Sequence, residues 1–292
     1  MASERSHTAL DAYHPAVQFA YFAAVLVLGM AAFHPVLVAL TLAAGFAYSV
    51  YLRGWHAAAL GLRWQLPLVL VVAAVNPLFS AMGSTELFRI GLRAVYLESL
   101  AYGLCMGMLL VSVVLWFSNA SHVLTSDKVM GLFGNVAPVI ALMLSMAARL
   151  VPRFVRRGNL ISGVQDACAP VRPRTPREQA AARVRLASVL MGWSMEDSLE
   201  TADAMRARGW GSSRRRTVYR RVRFRMRDGV AAGALGALVA AAAFLAWVAC
   251  SQFAFYPRLS VLVAWWGYAV YAILMFLPLL LQAAEEVRWR RR

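Results

Sequence analysis

The sequence predicts an all-α, polytopic helical membrane protein, and three observations carry that reading. Of the 292 residues 61% are hydrophobic and only 15% charged, whereas a soluble domain carries about 25% charge and an apolar share near 45–50%. Apolar runs of about 20 residues, the length a helix needs to cross the hydrocarbon core, recur along the chain. The charge is also concentrated: Arg149 to Asp228 holds 19 arginines against 7 acids, so +12 of the net +16 lies in one stretch between apolar segments.

The first two runs, Val17–Phe33 and Pro35–Leu52, are joined by a tight turn at His34-Pro35. A third, Trp64–Phe79, is broken near its end by Asn76-Pro77, and a fourth extends from about Val95 to Phe117. Asn135–Val151 is moderately apolar but carries Pro138, and it reads as an interfacial or partly inserted helix. The last two, Val230–Cys250 and Val261–Gln282, flank a short loop containing Tyr256-Pro257-Arg258. About six crossings result, within an open range of about five to seven. The chain divides into an N-terminal transmembrane region of about four helices (1–134), an interfacial helix with an Arg-rich segment (135–229), and a C-terminal transmembrane hairpin with a basic tail (230–292).

Arginines near span ends set the orientation, because cytoplasmic loops carry the excess of positive charge. The 149–228 segment and the tail arginines Arg288, Arg290, Arg291 and Arg292 therefore belong inside a cell inner (plasma) membrane. Counting back places the N-terminus inside as well, with Arg53 and Arg63 in a cytoplasmic loop; Arg89 and Arg93 then fall outside, against the rule. Trp265-Trp266 and Trp289 read as interfacial anchors. Gly103 with Gly107, and Ala232 with Gly236 and Ala240, form small-residue faces of the kind that let helix backbones approach closely in lipid.

So basic a chain raises nucleic-acid binding, but charge confined between apolar runs favours membrane topology and a protein contact. Cys105, Cys168 and Cys250 lie far apart and make neither a disulfide framework nor a zinc site. No Gly-rich loop ends in Gly-Lys-Ser/Thr, so the chain itself is not expected to hydrolyse ATP. No cofactor or metal is expected.

Within the basic segment, a helix candidate runs from the Arg149–Arg157 cluster to about Ala167, and Pro170, Pro173 and Pro176 then interrupt it. A second helix is expected over about Arg177–Met191, and a third over Ser194–Arg208. Ser194 would cap the third, with Glu196 and Asp197 at the positive end of its dipole. Arg206 and Arg208 suit its negative end, and Gly209 can take the left-handed conformation that stops it. Met195, Leu199, Ala202 and Met205 line one stripe, and Glu196, Glu200 and Asp203 another. Arg208 would offer a planar five-donor fork between small residues, either to an acidic or carbonyl-lined groove on a partner or simply to the helix end itself.

These pieces resemble the transmembrane coupling subunit (T component) of energy-coupling factor transporters, ABC-type importers of vitamins and transition-metal ions. The resemblance runs through His14-Pro15, Asn76-Pro77-Leu78-Phe79, Pro138…Ala148-Arg149-Leu150-Val151-Pro152 and Glu196…Ala204-Met205-Arg206-Ala207-Arg208-Gly209-Trp210-Gly211. It continues in Arg216-Thr217-Val218-Tyr219 and Arg227-Asp228. It implies two crossed cytoplasmic coupling helices, each ending in an Ala-Arg-Gly signature whose arginine enters a groove on one of two ABC ATPase subunits. A separate substrate-binding membrane (S) subunit would be the third partner. The second signature is Ala207-Arg208-Gly209, whereas the first reads Ala167-Cys168-Ala169, where a thiol replaces the guanidinium. Arg149, Pro152 and Glu196 would support the coupling segment, and the first contact would be weaker or made by neighbours such as Arg156, Arg157 or Arg172, so that engagement of the two ATPases need not be symmetric.

Two other functions are open to the sequence. His122 and Asp127 have a His-x4-Asp acyltransferase-like spacing, with His as general base. A stand-alone transporter or channel would place ionisable groups within its spans; Glu98, beside a polar boundary, and Glu285-Glu286 are the candidates.

Overall fold

The computed structural model describes residues 12–79, 84–90, 93–133, 138–168, 175–212, 224–256, 260 and 265–290. Nine helices appear among them: α1 (Pro15–Ala31), α2 (Pro35–Arg53), α3 (Trp55–Phe79), α4 (Leu97–Val123), α5 (Ser126–Phe133), α6 (Pro138–Cys168), α7 (Pro176–Ala207), α8 (Met226–Gln252) and α9 (Gly267–Arg290). The exception to the all-α pattern is a small antiparallel hairpin, β1 (Glu86–Ile90) with β2 (Arg93–Tyr96), between α3 and α4. Five helices, α2, α3, α4, α8 and α9, are long and apolar enough to cross a membrane. Apolar α1 has 17 residues, the bottom of the usual spanning range. The chain forms two compact units, one of residues 1–129 with 222–292, the other of 130–221.

In the first unit α4 packs against α1, α2 and α3, while α9 packs against α2 and α8. Its core is built from Tyr21, Phe22, Val25, Leu37, Ala44, Tyr48, Trp116, Tyr271, Leu274 and Met275. Both N-terminal helices begin His-Pro: proline has no N–H to lose in a first turn, and the preceding imidazole accepts a free backbone N–H. His14 Nδ1 accepts from Ala16 N at 3.1 Å and His34 Nδ1 from Val36 N at 3.3 Å. The expected turn at His34-Pro35 thus forms. Burial pushes the His34 imidazole below its ordinary value, which favours the neutral ring that this acceptor role requires.

A backbone polar group inside hydrocarbon has no water to fall back on, so polar side chains serve where a helix cannot satisfy itself. Pro278 lies inside α9 and removes the N–H that the Leu274 carbonyl would accept. The buried Tyr21 hydroxyl of α1 donates to the Leu274 carbonyl at 3.2 Å and lies 3.3 Å from that of Met275. Between α2 and α4, Trp116 Nε1 donates to Thr41 O at 2.9 Å and Asn119 Nδ2 to Gly45 O at 2.9 Å. Arg53 then donates to Asn119 Oδ1 at 3.0 Å and Ser118 Oγ at 2.8 Å.

Several expectations change. Asn76-Pro77 does not break the third helix: α3 runs from Trp55 through Pro67 and Pro77 to Phe79. Asn76 instead donates across to Ser99 O of α4 at 3.0 Å, and Gly54, at φ 84°, alone separates α3 from α2. Arg53 ends α2 and Arg63 sits within α3, so the two do not share a loop. Gly103 and Gly107 do allow close approach, since a Cβ would meet Ala73 Cα at 3.1 Å and Val69 Cα at 3.0 Å. At Gly236 a Cβ would meet nothing within 4 Å. That glycine lines an open apolar groove of about 360 Å³ between α1 and α8 rather than a closed contact, because α8 buries Leu235, Ala242, Ala246 and Ala249 instead.

Glu98 does meet a polar boundary: its carboxylate accepts from Ser84 Oγ at 3.1 Å and from Thr85 N and Oγ1 in the stretch before β1. Residues 80–83, 91–92, 134–137, 213–223, 257–259, 261–264 and 291–292 lie outside the described residues, and with them Asn135, Arg216, Thr217, Val218, Tyr219, Pro257, Arg258, Arg291 and Arg292.

Candidate functional site

The second unit consists mainly of two long helices, α6 of 31 residues and α7 of 32, each roughly 45–50 Å at 1.5 Å per residue. The interfacial piece and the basic helix expected separately form one continuous α6, with Pro152 inside it and Arg149 exposed before it. The two helices expected after the prolines also fuse. Ser194 is not a cap: its hydroxyl donates back to Met191 O at 2.9 Å, as a serine inside a helix can. No proline interrupts Gly192-Trp193-Ser194, so the helix continues through them.

The start of α7 is set by Thr175 instead. Its side chain accepts from Glu178 N, and the Glu178 carboxylate accepts from Thr175 N, a reciprocal capping box followed by Pro176 at the first helical position. Thr-Pro-Arg-Glu was legible as such a box, and the three-proline cluster masked it.

The C-terminus of α7 is as expected. Gly209 has φ 75°; Trp210 N donates to Met205 O at 2.9 Å and Gly209 N to Arg206 O at 2.9 Å. This is a Schellman arrangement that closes the last carbonyls. Arg208 is the C-cap residue and is exposed, as is Ala207 beside it. Arg206 pairs with Asp203 one turn earlier at 3.7 Å. Glu196 is exposed on the same helix. The other expected signature sits at the end of α6, with Ala167 and Cys168 exposed and Ala169, like Arg172, Pro170 and Pro173, outside the described residues.

The two helices touch near their midpoints. Arg153 faces Asp197 at 3.7 Å, Phe154 meets Trp193 edge-on at 5.9 Å between centroids, and the Arg157 guanidinium lies 4.6 Å from the Trp193 ring centroid. One turn on, Gly158 lies beside Leu190 Cδ1. As numbering rises along α6 it falls along α7, so the helices pass in antiparallel sense and their C-termini point away from the contact in opposite directions. Arg208 stands about 22 Å of helix beyond Trp193, and Cys168 about 15 Å beyond Gly158. The two signature positions therefore lie on opposite sides of the contact.

Trp193, which sequence reasoning passed over, is the pivot of this contact; its signal was an aromatic at the middle of a polar, Arg-rich helix. Arg153, Arg156, Arg157, Leu160, Trp193 and Asp197 line an open recess of about 410 Å³ there. No α7 residue is buried within the chain, and Val184, Met191, Met195 and Leu199 stay largely exposed. Of the acyltransferase-like pair, His122 lies exposed in the last turn of α4, and the Asp127 side chain is outside the described residues. Among the described residues no group of three or more His, Cys, Asp or Glu could hold a metal ion.

Arg227-Asp228 acts elsewhere. Asp228 is buried at the start of α8, accepting from Arg225 N at 3.0 Å and from His14 N at 3.2 Å, while Arg227 donates to Ala12 O and covers the Tyr13 ring. It thereby ties the start of α1 to the start of α8. No protein-family model matches the chain, and no curated protein matches it.

Proposed function

We propose that this protein is the non-catalytic, transmembrane energy-coupling subunit of an energy-coupling-factor-type ABC importer. On this reading two ABC ATPase subunits engage α6 and α7, and a separate substrate-binding membrane subunit carries the vitamin or metal ion. The protein sits in the cell membrane with residues 149–228 and the C-terminus on the cytoplasmic side.

The observation that supports this reading is the paired geometry of α6 and α7. The helices meet at mid-length, run in opposite senses, and end in the two positions that the sequence resemblance singles out. ATP-driven approach and separation of the two ATPases would displace those ends, and the midpoint contact would pass the displacement from one helix to the other. At the end of α7 the fork of Arg208 supplies a docking contact, held in place by the closed Schellman turn. At the end of α6 the Cys168 thiol offers no such fork, so the two ATPases would be held unequally.

The test is Arg208→Glu, with recovery of the ATPases on the purified full-length protein and substrate uptake as readouts. Both are expected to fall at least tenfold, with the protein still monodisperse, while Cys168→Arg retains or tightens ATPase recovery. Normal recovery and uptake with Arg208→Glu would remove the arginine from the mechanism.

A further inference from the structure

We propose that the recess where α6 meets α7 binds the phosphate of an anionic phospholipid headgroup, fixing this helix pair at the membrane surface. This goes beyond the coupling reading and does not depend on it. The recess of about 410 Å³ presents three guanidinium groups, Arg153, Arg156 and Arg157, against one carboxylate. That carboxylate, Asp197, is already paired with Arg153. Arg156 spends its Nε–H on the Pro152 carbonyl of its own helix, leaving its terminal nitrogens for a ligand. The Arg157 guanidinium is held over Trp193, a ring that itself prefers the level of lipid headgroups.

The charge complement is an anion, and the rest of the surface says which kind. Leu160 and Trp193 give the recess an apolar lip, which suits a phosphate joined to glycerol and acyl chains. Along α6, Ile140, Leu144, Val151 and Val155 recur at spacings of four and seven, share one face, and are each more than half exposed. Arg149, Arg153 and Arg156 recur at spacings of four and three on the opposite side. A helix with an apolar stripe backed by arginines lies in the plane of an anionic membrane surface, with the stripe in the acyl boundary and the cations at phosphate level.

The test uses the full-length protein in detergent, with lipid adducts counted by native mass spectrometry in the presence of phosphatidylglycerol or phosphatidylcholine. Phosphatidylglycerol is expected to be retained preferentially, by about fivefold for each arginine engaged. The preference is lost in Arg156→Gln/Arg157→Gln and is kept in a charge-matched control, Arg183→Gln/Arg185→Gln, on exposed α7 positions. Should the double variant fail to fold, Arg156→Gln alone, whose described hydrogen bond is internal to α6, reads the same preference, expected to drop about fivefold. Millimolar inorganic phosphate should not displace the lipid. Equal retention of the two lipids, equal loss in the control, or displacement by free phosphate would each overturn the proposal. So would unchanged lipid preference in Arg156→Gln/Arg157→Gln with loss of ATPase recovery, which would assign the recess to an acidic protein surface.

Discussion

At Gly45 a missing side chain decides how two helices meet. A Cβ there would stand 2.9 Å from Trp116 Nε1, and the same indole donates to the Thr41 carbonyl one turn earlier. Gly45→Ala must therefore push α4 away or dislodge the indole, and overpacking of this kind costs about 1–3 kcal/mol. Its thermal unfolding temperature in detergent, followed by scanning fluorimetry, is expected to drop. Gly236→Ala, which meets open space, should leave that temperature unchanged or slightly raised. Equal shifts at both positions would mean that backbone entropy, not the Trp116 contact, governs Gly45. Composition marks neither glycine: the two differ only in what the fold brings opposite them, so small-residue spacing located the Gly103 contact correctly and misread Gly236.

For elements, the sequence was most legible where one physical demand dominates. The long apolar runs of α2, α4 and α8 announce themselves because every backbone group in hydrocarbon must be bonded within its own helix. The Gly209 stop of α7 was equally plain, since only glycine takes a positive φ without a Cβ penalty. Breaks were less legible. Asn76-Pro77 looked like an end but is tolerated inside α3, where Asn76 turns its amide to the neighbouring helix. Gly192 and Ser194 looked like a boundary but sit inside α7, where the capping box at Thr175 and the contacts of Trp193 outweigh two weak helix formers. The β1–β2 hairpin gave no period-2 signal long enough to compete with its apolar surroundings.

An unbroken α7 carries its own prediction, which rests on the proposed coupling role. Ser198→Pro, between Trp193 and Arg208, removes an internal hydrogen bond at a cost of about 3 kcal/mol and leaves the Arg208 end intact. ATPase recovery should persist while ATP-driven uptake falls several-fold. Uptake that survives a kink at that point would show that the helix does not transmit the displacement.

For the whole molecule, the coupling proposal turns on which side of the membrane carries the basic unit. Cys168 is the exposed cysteine, Cys105 is buried and Cys250 half-buried, so the native chain carries its own reporter. A membrane-impermeant maleimide should label Cys168 in inside-out vesicles and spare it in right-side-out ones. The reverse pattern would put the arginines outside and end the coupling proposal.

The bond from Tyr21 to the carbonyl left open by Pro278 spans 253 residues of sequence, and that has a consequence for biosynthesis. α9 is made with an unsatisfied oxygen inside the helix, and the hydroxyl that closes it stands on α1, synthesised 253 residues earlier. Until α1 and α9 meet, that oxygen lacks its protein partner, so the docking of α9 depends on α1 having kept its place.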